Sequence, residues 1–173
     1  MDAPSPDTLY LDADGATGYP NAALPVLIYR HVVDTSDAEK RADAFERLFQ
    51  RHHWLPAWRY HLYDFDHFHS TAHEALGIFR GQALARLGGP NGRTLMLYPG
   101  DVLVLPAGVG HASLTADDDF CMVGAYPPNQ QPEIELGDPA RLGEAQNRAA
   151  RVAIPEFSPV GGPLSDLWQP ATP

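Results

Sequence analysis

Three imidazoles and a carboxylate, His67, His69, Glu74 and His111, stand out among the side chains of this chain that could do chemistry. Nitrogen and carboxylate donors together suit Fe(II), Mn(II), Ni(II) or Zn(II), and residue types alone do not choose among these ions. In an extended strand, alternate side chains share a face, so His67 and His69 point the same way with Cα atoms about 6.6 Å apart. That separation lets both reach one ion at metal–nitrogen distances of about 2.1 Å. Glu74 opens the next strand and would add an oxygen. His111 follows a turn built on Pro106, Gly108 and Gly110, where the two glycines permit positive φ and a sharp change of direction. Four such ligands leave one or two positions open on a five- or six-coordinate ion. His73, next to Glu74, is a competing donor. Adjacent strand residues face opposite ways, so only one of the two looks inward.

The elements that must position these groups are mostly short strands. Residues 1–24 lack periodicity and read as an irregular arm. Residues 25–33 read as a strand, because β-branched and aromatic side chains dominate it. Ser36 with Glu39 forms a capping-box pattern. Behind it, Ala42, Phe45, Leu48 and Phe49 share one helical face, predicting a helix over 37–52 that ends before Pro56. From Trp58 to Tyr126 eight runs alternate with turn residues: 58–63, 65–70, 74–80, 82–87, 94–98, 101–105, 111–115 and 120–125. Gly88–Gly92 reads as a hairpin loop and Asp117–Asp119 as a solvated turn without calcium-loop spacing. This pattern predicts an all-β domain of jelly-roll or small-barrel type. Three stretches follow from it: an N-terminal strand-helix arm over 1–57, a barrel core over 58–128, and a proline-rich C-terminal extension over 129–173, together one structural domain. Asp138–Pro139 is a helix start, with an N-cap followed by proline. Leu164, Leu167 and Trp168 give the tail apolar anchors that should pack it on the body.

Composition narrows the function classes. The chain has 173 residues and a formal net charge of −10, with 44% hydrophobic and 20% charged residues. That is globular composition with room for one core. An acidic surface without a basic cluster argues against nucleic acid or anionic membrane as partners. The N-terminal residues show no signal-peptide pattern. Cys121 is the single cysteine, excludes an internal disulfide and fits a reducing cytoplasm; its apolar neighbours make it a small core residue. No nucleophile-elbow pattern supports a serine hydrolase.

The residue pattern closely resembles the cupin superfamily. His67, His69, Glu74 and Gly81 match its first motif, with four residues between His69 and Glu74 and six between Glu74 and Gly81. Gly100, Pro106, Gly108 and His111 match the second. That spacing favours Glu74 over His73 in the carboxylate slot. Residues 69–81, 99–111 and 123–128 further resemble the small, largely uncharacterised YjlB-like single-domain cupins. Two positions depart from the superfamily pattern: His61 stands where glycine usually opens the first motif, and Thr115 where asparagine usually closes the second. The resemblance implies a cupin jelly-roll barrel, a divalent transition metal held by His67, His69, Glu74 and His111, and a homodimer, with the N-terminal strand a candidate for exchange between subunits.

Around those ligands, His73, Arg80, Ser113 and Thr115 are candidates for a supporting shell or cavity lining. Arg80 would share Glu74's face if the strand keeps register, and the competing reading puts its head in water. Tyr63, Phe65 and Tyr126 could wall a pocket or simply be core. His31, His52 and His53 lie outside the cluster, the last two near a helix C-terminus. Two function classes follow. One is a metal-dependent enzyme of dioxygenase or isomerase type acting on a small oxygenated organic molecule. The other is a non-catalytic module that holds or senses a metal or small ligand. No catalytic base is assigned.

Overall fold

The structure, a computed structural model, describes residues 3–170; the first two residues of the expected arm and the last three of the tail lie outside them. Nine strands and two α-helices follow in the order β1 (Asp7–Leu11), β2 (Ala22–Tyr29), α1 (Ala38–Arg51), β3 (Leu55–Tyr60), β4 (Glu74–Arg80), β5 (Ala83–Leu87), β6 (Arg93–Leu97), β7 (Val102–Leu105), β8 (His111–Ala116), β9 (Cys121–Tyr126) and α2 (Leu142–Ala150). They form two antiparallel sheets, six strands in the order β1-β2-β7-β4-β9-β3 and three in the order β6-β5-β8. The architecture is a β-sandwich consistent with a jelly roll.

The expected closed barrel is not what the strands make. Residues 65–70, expected as a strand, do not run as a ladder strand. They are instead held by isolated pairs, His67 with His111 and Phe68 with Glu135, and the strands form two distinct sheets. Strand periodicity places the core. On β4, Leu76 and Ile78 face inward, where they meet Leu103 and Leu105 of β7, Met122 of β9 and Ala85 and Leu87 of β5. Ala75 and Phe79 face outward into a second core closed by α1 and the tail. Gly77 shares that outward face. A Cβ there would lie 2.7 Å from the Phe45 ring, so glycine lets α1 lie close against the sheet.

Local differences from expectation have local causes. The arm predicted as irregular contains β1, an edge strand whose residues are largely exposed and so carry little apolar pattern. α1 is capped by Asp37, whose carboxylate accepts the Lys40 amide at 3.1 Å, and not by Ser36. Its buried face carries Ala42, Phe45 and Phe49, as the periodicity required. β3 starts at Leu55 because Pro56 falls at an irregularity on an edge strand, where a missing N–H costs no ladder bond. Asp138 caps a short 3-10 turn that runs into α2. Leu164 and Trp168 are buried in the second core, and the Trp168 indole N–H donates to the Pro25 carbonyl at 3.0 Å. Cys121 is half-buried at the edge of the same core. None of the described helices is long and apolar enough to cross a membrane.

Candidate metal centre

His67 and His69 reach the interior from a segment that is not a regular strand. The backbones of His67 and His111 pair in both directions, at 3.2 and 2.8 Å, and Phe68 pairs likewise with Glu135, at 2.9 and 3.0 Å. This pinning between β8 and the segment after β9 does the work expected of a strand ladder. His111 opens β8 after a turn in which Gly108 adopts φ +99°; its Cβ-free backbone packs against the Asn21 carbonyl. Gly110, expected to need positive φ as well, does not adopt it. Glycine is required there because a Cβ would press on the Gly89 amide and the Tyr19 ring, each at 2.8 Å.

The side chains converge. One ligand nitrogen from each of His67, His69 and His111 lies within 4.8 Å of the other two, and all three residues are buried. Each Nδ1 faces a backbone carbonyl: Phe65 at 3.0 Å for His67, Glu133 at 2.6 Å for His69, and Val109 at 2.9 Å for His111. A carbonyl only accepts, so Nδ1 must carry the hydrogen and Nε2 is left as the donor atom toward the shared centre. The Nε2 atoms of His69 and His111 sit 3.4 and 3.3 Å from the two oxygens of Glu74. Glu74 opens β4 and faces inward, 3% exposed. This cluster of three buried histidines could hold a metal ion.

The electrostatics follow from burial. Burial and then the neighbouring His111 push the His67 imidazole down to about 4, so it is neutral and its Nε2 lone pair is free. Burial acts the same way on His69, but the Glu74 charge outweighs it and leaves that imidazole more basic than usual. Burial alone would raise Glu74; His69 and His111 overcome it and hold the carboxyl well below its ordinary range. Without a metal, the buried Glu74 anion is held by the neighbouring imidazoles of His69 and His111. An ion bound here would neutralise the carboxylate in their place.

Two groups that sequence reasoning missed complete the centre. The Tyr126 hydroxyl donates to Glu74 Oε2 at 2.7 Å, and the Trp58 indole N–H donates to the Tyr126 oxygen at 2.9 Å. Tyr126 reads as an apolar wall in the sequence; its phenol is instead a proton donor, held protonated by burial and by Glu74. The Glu133 carbonyl that seats His69 had no signal at all, since any residue supplies a carbonyl. Its neighbour Glu135 is tied down more visibly, accepting from the Ser70 amide and hydroxyl at 2.6 and 2.8 Å and from Arg148 at 3.0 Å.

The supporting-shell candidates do not join the cluster. His73 is buried but faces away, its Nδ1 accepting the Ala107 amide at 2.8 Å and its ring against Trp168. Arg80 leaves Glu74's face because pairing shifts between Ile78 and Arg80; its head meets Glu39 and lies over Phe79. Ser113 is buried with its hydroxyl on its own strand, 3.5 Å from the Thr115 carbonyl, and Thr115 is exposed. His52 caps α1, Nδ1 2.9 Å from the Leu48 carbonyl. Tyr63 does line the space above the cluster, together with Trp58, Leu76, Met122, Pro132 and Ile134, around a cavity of about 380 Å³.

Over 148 aligned residues the chain is 33% identical to the uncharacterized protein YjlB of Bacillus subtilis (strain 168), covering 84% of this chain and 86% of that protein. No family model matches the chain.

Proposed function

The chain belongs to the YjlB family, and from that premise we propose that it is a metal-binding cupin working as a metal-dependent enzyme of dioxygenase or isomerase type on a small oxygenated organic molecule. The observation that carries the reading is the shared orientation of three buried imidazoles. With each Nδ1 hydrogen committed to a carbonyl, every Nε2 is presented to one point beside Glu74. His67, His69, His111 and Glu74 would hold the ion, which would supply Lewis-acid or redox chemistry to substrate oxygens. Fe(II), Mn(II), Ni(II) and Zn(II) all suit the donor set.

The chain's own residues set the conditions for that chemistry. Tyr126 holds Oε2 of Glu74 and leaves Oε1 to turn toward the centre, and Trp58 fixes Tyr126. Leu76 and Met122 exclude water from one side of the cavity. A non-catalytic holding or sensing module is the second reading. It is favoured by the cavity floor, where the titratable groups Glu74 and Tyr126 are already engaged with each other. A homodimer fits the exposed edge strand β1, and a cytoplasmic setting fits the single cysteine.

Elemental analysis of the purified protein tests the reading, with equilibrium dialysis against each of the four ions. About one tightly held ion per chain is expected, lost in His111→Ala. Protein that takes up none of them refutes the proposal. Oxygen consumption by the Fe(II) form with small diketones separates the enzyme from an inert module.

A further inference from the structure

The cavity above the cluster is uneven in its chemistry. Its volume, about 380 Å³, suits a molecule of one or two small rings. Among its described lining residues, Glu74 is the one carboxylate and Arg59 the one arginine or lysine. Arg59 is not available to a ligand. Its guanidinium is bound by Glu39 at 3.1 Å, Asp43 at 2.8 Å and Glu46, all on α1, which packs on the opposite face of the sheet. The other arginines near this end are spent as well, Arg80 on Glu39 and Arg86 on Asp66. Among the described residues, no unpaired arginine or lysine therefore faces the space beside the cluster.

Beyond Tyr60, His61 and Tyr63, the walls are apolar. Trp58 on β3 lies against β9 at Gly124, where any Cβ would occupy the indole ring; glycine at this position is what lets the indole lie flat against the strand. Its N–H is consumed by Tyr126, so the indole offers a ligand its face. Met122 and Leu76 continue that surface, and Pro132 and Ile134 oppose it from the segment after β9. Ile134 is 55% exposed and stands at the rim.

We infer that the ligand of this site carries one oxygen-bearing head, directed at the histidine cluster, on an aromatic or otherwise apolar body with no second anionic group. The inference rests on the metal reading above and specifies the substrate class for it. A dianionic acid would have to bring its second carboxylate against Trp58, Met122 or Leu76 with no arginine or lysine to pair it, within a chain of net charge −10.

Two α-keto acids with the same head and different bodies isolate this: phenylpyruvate, with a benzyl group, and 2-oxoglutarate, with a second carboxylate. Each is titrated into cobalt(II)-loaded protein, followed by the visible absorption of the cobalt and by calorimetry. Phenylpyruvate is expected to bind at least tenfold more tightly. Ile134→Lys, an exposed substitution that brings a cation to the rim, is expected to narrow that ratio severalfold by improving 2-oxoglutarate. If cobalt is held and 2-oxoglutarate binds as well as phenylpyruvate, or neither binds, the inference is overturned while the metal reading stands. If no cobalt is taken up, the metal reading fails first and this one with it.

Discussion

Replacing Tyr126 with phenylalanine removes one oxygen and keeps the ring, which makes it a sensitive probe of the centre. Among the described residues, that oxygen gives Glu74 its one hydrogen bond from outside the histidine cluster, at 2.7 Å, and receives the Trp58 N–H at 2.9 Å. Trp58 borders the cavity, so water can replace its lost partner. Glu74 is 3% exposed and has no such recourse. A hydrogen bond to a buried charged group is worth about 1.5–3 kcal/mol, and the metal-free protein should lose about that much stability. Loss of an outer partner that orients a ligand costs roughly ten- to a hundredfold in metal affinity. Urea unfolding of the metal-free form and zinc competition against a chelator measure the two effects. A Tyr126→Phe protein whose zinc affinity stays within threefold and whose unfolding midpoint is unchanged would show that the Trp58–Tyr126–Glu74 chain does not support the centre.

Acidification should weaken the metal-free fold, partly through His73. Burial holds its imidazole down to about 4 against 6.5 when unfolded, so between these values the unfolded chain binds more protons and stability falls as pH falls. From pH 7 to pH 5 this group alone should cost about 2 kcal/mol. His73→Gln should lose that much less over the same interval in urea titrations, and an identical pH slope in both proteins would refute the assignment. Gly77→Ala places a methyl 2.7 Å from the Phe45 ring and should destabilise by about 1–3 kcal/mol, read as a lowered thermal midpoint; an unchanged midpoint would mean that α1 is free to shift. Asp37→Ala should cost about 1 kcal/mol by removing the cap of α1, whereas Ser36→Ala should cost almost nothing; equal effects would return the cap to Ser36.

Spacing makes the four site candidates legible because histidine and glutamate at strand intervals have few other uses. The α1 face is legible for the same reason, since Phe45 and Phe49 repeat at a helical period. What stays hidden depends on partners far along the chain. Residues 65–70 read as a strand, yet Phe68 among them is pinned by Glu135, more than sixty residues later, through backbone atoms that carry no identity in sequence. Arg80 follows a perfect alternation from Glu74 until a pairing shift turns it away, and such shifts are set by the neighbouring strand. Tyr126 and Trp58 look like core aromatics because their polar tips become informative only once a buried carboxylate stands beside them. β1 escapes notice because an exposed edge strand needs little apolar pattern.

The carbonyl that seats His69 belongs to Glu133, and the backbone pair that anchors its neighbour belongs to Glu135. Both are made late on the ribosome, after every strand of the two sheets. The nascent sandwich can therefore acquire its strands before one of its histidines is locked in place. Any ion taken up by this cluster would accordingly await the last quarter of the chain. A chain interrupted before that point would be left with an unlocked histidine, a form open to the wrong ion.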